Sequence, residues 1–235
     1  MRLDQYMFEH GFVDSRSKAQ NVIKAGSVSV DGTVVKKPSF RIDDHKVVMT
    51  GEKVYVSRAA HKLKGFLPGL PFRVDGLDVL DIGSSTGGFT QVLLEEGVKS
   101  VTSVDVGSGQ LHHSLKEDKR VVSVENTDIR DFHPKHMYGL VTSDVSFISL
   151  LHILEAVDRL SEQWIILLFK PQFEVGREAR RDKHGVVLDQ KAIGVAKRTF
   201  ESACEALGWK LIEKRPSTLA GKEGNVEECY CYEKY

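Results

Sequence analysis

The residues best suited to chemistry lie in Asp81-Ile82-Gly83-Ser84-Ser85-Thr86-Gly87-Gly88-Phe89. Glycines let the backbone pass close to a ligand, and a helix opening near Gly88 aims free N–H groups at a carboxylate or another anion. The spacing is not G-x-G-x-x-G, and no Gly-Lys-Ser/Thr follows to make a phosphate loop. A plain strand-to-helix turn is the competing reading. Asp105 comes 24 residues after Asp81, at the end of the next apolar run, where a carboxylate accepts hydrogen bonds from both hydroxyls of a ribose. Its alternative is a turn-capping aspartate before Gly107. Asp128 stands where the amino group of an adenine needs an acceptor, or else it is a loop acid beside Arg130. Val106 and Ile129 are the apolar neighbours of these two acids.

Elements must hold such groups in place. Short apolar runs at 77–82, 100–106, 120–125, 139–144 and 164–169 alternate with helical stretches, which predicts a parallel sheet with crossover helices. The loop above then sits at the carboxyl end of the first strand, where ligands bind in doubly wound sheets. Asp189–Leu207 reads as a long amphipathic helix. Runs at 209–214 and 226–232 read as closing strands, the last antiparallel through its tight connection. Upstream, 3–10 and 16–25 read as two short helices, the second capped by Ser15 and closed by Gly26. Alternating β residues around Asp31-Gly32 make a hairpin. The expected division is a module over 1–50, a linker over 51–56 and a larger domain over 57–235, with Ser57 capping the helix that opens the latter.

Bulk properties exclude several classes. With 41% hydrophobic and 28% charged residues, the chain is neither disordered nor fibrous. Three cysteines cannot close a disulfide set and have no zinc-type spacing, so reduced thiols and a cytoplasmic location are expected, with no metal. His112, His113, His133 and His136 lack an i, i+4 metal pair and are assigned to surface or capping roles. No run approaches the roughly 18 apolar residues of a membrane span. The formal net charge is zero, but residues 1–64 carry 12 basic and 7 acidic side chains, a charge of +5, leaving −5 on the rest. That polarity suggests two jobs, one of them at a polyanion.

The motifs, in order, carry a resemblance. Arg2-Leu-Asp, Gly11-Phe, Ser15-Arg16-x-x-Ala19, Ile23-x-x-Gly26-x-Val-x-Val30-Asp-Gly32 and Lys37-Pro38-Ser39 resemble the αL RNA-binding domain of ribosomal protein S-four. The later half resembles the FtsJ-like ribose 2′-O-methyltransferases. With Ser57-Arg-Ala-Ala-His-Lys-Leu, Asp144-Val-Ser-Phe-Ile-Ser, Phe169-Lys-Pro-Gln-Phe-Glu-Val-Gly and Gly224-Asn-Val-Glu227, the whole is similar to the TlyA (hemolysin A) family of ribosomal RNA cytidine 2′-O-methyltransferases.

The resemblance implies a Rossmann-like S-adenosylmethionine-dependent methyltransferase fold, mostly parallel with an antiparallel last strand, behind a small αL domain. It implies S-adenosylmethionine on Asp81, Gly83, Ser84, Ser85, Thr86, Gly87, Gly88, Phe89, Asp105, Val106, Asp128, Ile129 and Asp144. It also implies a catalytic tetrad of Lys62, Asp144, Lys170 and Glu227. Lys170 is the candidate base: an amine serves so only if its pKa falls from about 10.4 toward neutrality, which burial and the Lys62 cation would promote and the two acids oppose. Its alternative role is to orient the hydroxyl, the proton leaving to water.

Arg2, Ser15, Arg16, Lys18, Lys24, Lys36, Lys37 and Arg58, with Arg41, are expected at RNA phosphates. Arg177, Arg180, Arg181 and Lys183 are expected to close over the acceptor strand as a lid. The partner implied is structured ribosomal RNA or a ribosomal subunit, with one nucleotide flipped from its stack, and the chain acting as a monomer away from membranes. Lys53-Val-Tyr55-Val stands where relatives carry a tryptophan-containing linker. The compact ends go, in this resemblance, with large-subunit RNA; small-subunit RNA is the alternative. Competing functions are an RNA-binding factor without catalysis and a membrane-active hemolysin.

Overall fold

The computed structural model describes residues 1–13, 15–42, 47–49 and 55–235. It divides into two units, Met1–Val54 and Tyr55–Tyr235.

In the first unit, α1 (Leu3–Glu9) and α2 (Arg16–Lys24) precede β1 (Val28–Val30), β2 (Thr33–Val34) and β3 (Val47–Met49), which form an antiparallel sheet of order β2-β1-β3. Ser15 accepts from the Lys18 N–H and caps α2. Asp31 and Gly32 both adopt positive φ, 47° and 81°, as a two-residue hairpin turn of the primed type requires. Leu3, Met7, Ala19, Ile23 and Val28 are fully buried and form the core of the unit, each contributing roughly 1.5–3 kcal/mol except the smaller alanine.

The second unit opens with α3 (Ala59–Phe66) and continues through β4 (Asp78–Ile82), α4 (Gly88–Glu95), β5 (Ser100–Val104), α5 (His113–Lys116), β6 (Val121–Val124), β7 (Tyr138–Ser143) and α6 (Leu154–Leu160). Then come β8 (Ser161–Phe169), α7 (Pro171–Glu174), α8 (Gln190–Ala206), β9 (Trp209–Pro216) and β10 (Glu228–Lys234). The strands form one sheet of order β6-β5-β4-β7-β8-β10-β9. β4 to β8 are parallel, and β10 lies antiparallel between β8 and β9. Alternate residues of each strand feed two cores. Leu80, Ile165, Leu167 and Phe169 pack on the face that includes Val157 of α6 and Phe200 of α8; Val79, Ile166, Leu168, Cys229 and Cys231 pack on the face that includes Leu63 of α3 and Val92 of α4. The three cysteines are free and buried, and burial pushes each thiol up to about 12.

The linker assigned to 51–56 differs in its last two residues, while 51–54 lie outside the described residues. Tyr55 is buried and donates to Glu95 Oε2 at 2.9 Å, and Val56 N–H donates to Gln91 Oε1 at 2.8 Å. Both are thus fixed to α4. Ser57 does not cap α3 through its side chain: the N-cap residue is Arg58, with no side-chain cap, and only the Ser57 carbonyl accepts, from Ala60 N–H at 3.3 Å.

Candidate active site

The sheet reverses its building direction between β4 and β7. Chain order runs from β4 outward through β5 and β6 on one side and through β7 and β8 on the other. A crevice opens at such a reversal, beyond the carboxyl ends of the strands. Register pairs Ile82 with Ser143 and Ser143 with Leu167, so Gly83, Asp144 and Lys170 all leave the sheet at one edge. Because β10 runs the other way and pairs Glu228 with Phe169, Glu227 reaches that edge too. Lys62 comes from the buried face of α3.

Lys62, Lys170 and Glu227 are 8%, 6% and 2% exposed. Charges so buried persist only when paired. The pairing is specific: Lys62 Nζ lies 2.5 Å from Glu227 Oε2, and Lys170 Nζ lies 2.6 Å from Asp144 Oδ1. Lys170 also donates to Ser146 Oγ at 2.8 Å and to the Asp144 carbonyl at 3.2 Å. Gln172 Nε2 donates to the second oxygen of Glu227 at 3.1 Å. Lys62, the cation expected near Lys170, is therefore itself paired with an acid. Its charge is met by Glu227, and the four residues form two ion pairs.

Two cavities share this edge. One, of about 340 Å³, is lined by Arg58, Lys62, Gly83, Ser84, Asp144, Ser146, Lys170 and Lys222, among others. The other, of about 320 Å³, is lined by Asp105, Val106, Asp128, Ile129, Phe147 and Ile148 together with Gly83, Asp144 and Ser146. Gly83, Ser85, Asp144 and Ser146 line both and form the partition between an ion-pair side and a side bearing two loop acids. Gly83 has φ 74°, and a Cβ there would come within 3.1 Å of Val145 Cα. At Gly88 a Cβ would run into Ser57 Oγ and approach Ala60 N to 3.0 Å, so glycine is what lets α4 start against α3.

Asp105 takes the turn-capping role given as its alternative and also holds the glycine loop. It accepts from Ser85 N–H at 2.7 Å and from Gly107 N–H at 2.8 Å, so it caps the turn and grips the glycine loop at once. A carboxylate has about four acceptor sites, and Asp105 lines the second cavity. Asp128 is committed to Arg130, at 2.6 Å, and to the Arg130 N–H at 2.9 Å, which is the loop-acid alternative; that pairing holds its carboxyl below the usual range. Asp81 sits 1% exposed, accepting from Thr90 at 2.6 Å and Thr142 at 3.0 Å. Burial raises its carboxyl to about 6 against those hydrogen bonds, so it locks β4, β7 and α4 together. Thr86, Gly87 and Phe89 complete the loop, with Phe89 buried in the core behind it.

The FtsJ-like methyltransferase model matches residues 55–234 and the S4 domain model matches residues 1–48. Identity is 51%, over 94% of this chain and 94% of the relative, with the 23S rRNA (cytidine-2′-O)-methyltransferase TlyA of Campylobacter jejuni. The chain belongs to the TlyA family of FtsJ-like methyltransferases. The 16S/23S rRNA (cytidine-2′-O)-methyltransferase TlyA of Mycobacterium tuberculosis is 41% identical, over 96% of this chain and 87% of that one. A solved structure from Streptococcus thermophilus that carries a hemolysin name superposes with a TM-score of 0.73 at 34% identity, covering 100% of this chain and 88% of its own.

Other expected TlyA-family residues fall elsewhere. Arg2 and Arg16 are engaged with the fully buried Asp4, at 2.9 and 3.3 Å, and Gln20 donates to the same carboxylate at 2.9 Å. These partners hold the Asp4 carboxyl well below the usual carboxylate range against its burial. The two arginines are therefore structural as well as partly exposed. Lys24, Lys36, Lys37 and Arg41 are exposed and Lys18 is half-buried on the same unit. Arg58 lines the ion-pair cavity instead.

Within the expected lid, Arg181 turns inward and donates to the carbonyls of Arg177 and Ala179 at 3.2 and 3.1 Å. Asp182 accepts from His184 and Val186 N–H groups at 2.8 and 2.9 Å. The segment is a knitted loop that leaves Arg177, Arg180 and Lys183 outward. His112 caps α5, as assigned. Among the described residues no group of His, Cys, Asp or Glu gathers to hold a metal ion, and no helix is long and apolar enough to cross a membrane.

Sequence reasoning missed Ser146, Gln172 and Lys222. The first two stood inside quoted motifs. Lys222 carried no signal at all, because only the fold of the 217–225 loop brings it to the cleft.

Proposed function

We propose that this protein transfers a methyl group from S-adenosylmethionine to the 2′-hydroxyl of a cytidine ribose in ribosomal RNA, that of the large subunit first. The observation that carries the reading is the Lys170–Asp144 pair, 2.6 Å apart and flanked by Ser146, set on the partition between the two cavities in a chain so similar to named rRNA (cytidine-2′-O)-methyltransferases.

The residues suit the cofactor. The loop turns tightly at the cleft, Gly83 closing against Val145 and Gly88 against Ser57 and Ala60, and Asp105, Val106 and Ile129 line the cavity that would take the ribose and adenine. A cavity of about 320 Å³ is of ligand-binding size. When bound, S-adenosylmethionine supplies a methyl group on a sulfonium, an electrophile that any well-placed oxygen can attack.

The chain supplies the placing. A lysine ammonium has three N–H donors; Lys170 donates to Asp144 O and Ser146 Oγ and is ion-paired with Asp144 Oδ1. A hydroxyl taking the place of Ser146 is held by Lys170 on one side, with the Asp144 carboxylate within reach of its proton. This arrangement favours orientation over a free-amine base, so positioning provides most of the acceleration. Lys62 lines the cleft and is held from behind by Glu227, to which Gln172 also donates. The S4 unit, with Lys24, Lys36, Lys37 and Arg41 outward, docks on structured RNA by its phosphates, while the catalytic unit takes one flipped nucleotide.

The test is transfer of labelled methyl from S-adenosylmethionine to ribosomal subunits, with mapping of the product. A ribose 2′-O-methylcytidine is expected; methylation at a base atom would sink the assignment.

A further inference from the structure

Four cations line the ion-pair cavity: Arg58, Lys62, Lys170 and Lys222. Two are neutralised, Lys62 by Glu227 and Lys170 by Asp144. Arg58 and Lys222 belong to exposed residues, and among the described residues neither has a carboxylate within ion-pair distance. Among the described residues, therefore, the cleft is balanced at its floor and the two cations at its rim have no ion-pair partner.

The rim is built rather than trailing. Arg58 Nη2 donates to the carbonyl of Ala220 at 3.4 Å, which ties one cation to the loop bearing the other. Thr218 Oγ1 donates to the carbonyl of His61 at 3.0 Å, fastening that loop to α3 one residue from Lys62. Gly221 crosses directly over the floor, since a Cβ there would lie 2.6 Å from Glu227 Oε1. Beyond it, Asn225 Oδ1 accepts from Val187 N–H at 2.9 Å and fixes the far end of the loop. Lys222 is thus carried on a segment anchored at both ends, beside Arg58, above the site proposed for the hydroxyl.

An anion belongs at such a rim. In RNA the group nearest a 2′-hydroxyl with full negative charge is the phosphate on the neighbouring 3′-oxygen. We propose that Arg58 and Lys222 form a phosphate subsite for the acceptor strand, which seats the backbone next to the target ribose so that its hydroxyl meets Lys170. The subsite rests on the RNA-methyltransfer reading. It fixes position by charge and carries no base identity, so it acts on all acceptor sequences alike.

The experiment uses the full chain with ribosomal RNA as probe. Lys222→Ala is expected to raise KM for RNA about tenfold, with the loss falling on KM and not kcat, and to lower the slope of log binding constant against log salt by about 1. Lys222→Arg should restore most of both, and Arg58→Ala should act in the same direction. S-adenosylhomocysteine affinity, read by calorimetry, should stay within about twofold, one phosphate contact being remote from the nucleoside cavity. An unchanged KM and salt slope in Lys222→Ala would overturn the subsite, as would a parallel loss of S-adenosylhomocysteine affinity, which marks a collapsed loop. If the wild-type chain methylates no RNA, the functional reading falls; the salt slope, measured by filter binding without turnover, still decides the subsite.

Discussion

Lys170 carries the sharpest expectation. Replacing it with alanine leaves the half-buried Asp144 carboxylate without its cation, at a cost below the roughly 3–5 kcal/mol of a fully buried pair. Transfer should fall by at least about a hundredfold, the scale on which a misplaced reacting group costs rate, with S-adenosylhomocysteine affinity nearly kept; loss of both would mean a folding defect. Asp81 gives a pH signature. Its folded carboxyl stands at about 6 against an ordinary 3.8 because burial disfavours the anion. The unfolded chain therefore ionises this group first, and its contribution to stability is lost as pH rises from about 4 through about 6, on the order of 3 kcal/mol. In denaturant melts from pH 4.5 to 7.5, Asp81→Asn should lack this decline and show only a pH-independent offset from its altered hydrogen bonding to Thr90 and Thr142. A parallel decline in the variant would assign it to other groups.

At the level of elements, α3 and α4 meet where Gly88 faces Ser57 and Ala60. Gly88→Ala must push α3 away from the glycine loop, a strain of about 1–3 kcal/mol, and α3 carries Lys62. The expected outcome is a lower melting temperature together with weaker S-adenosylhomocysteine binding; a variant with wild-type affinity would show that the contact yields without cost. In the first unit, Asp4 of α1 pairs with Arg2 ahead of its own helix and reaches α2 through Arg16 and Gln20. Asp4→Ala should loosen that unit by about 1–3 kcal/mol, seen as faster proteolysis there, and this contribution of Asp4 should fade as pH drops below about 4, the sign of a depressed carboxyl.

On the scale of the whole molecule, zero net charge is the sum of a +5 stretch over residues 1–64 and a −5 remainder. Docking should be local and salt-sensitive, with affinity for ribosomal RNA falling steeply as salt rises. Deleting residues 1–54 should remove most RNA affinity and spare S-adenosylhomocysteine binding, because the second unit has both its cores within itself. Unchanged RNA binding after that deletion would contradict the docking role of the S4 unit.

The sequence by itself determined the elements and their order. Periodicity and turn chemistry are local, so the parallel strands, the Ser15 cap, the Asp31-Gly32 hairpin and the glycine loop were legible, and the ordered motifs pointed to the family. What only the tertiary structure decided is who pairs with whom. Lys62 and Glu227 stand 165 residues apart, and nothing local says that Glu227 takes the charge of Lys62, that Arg2 and Arg16 are drawn to Asp4, that Arg181 turns inward, or that Lys222 reaches the cleft. Pairing of charges is settled by burial and distance, since a charge removed from water must find whichever partner the fold brings within reach.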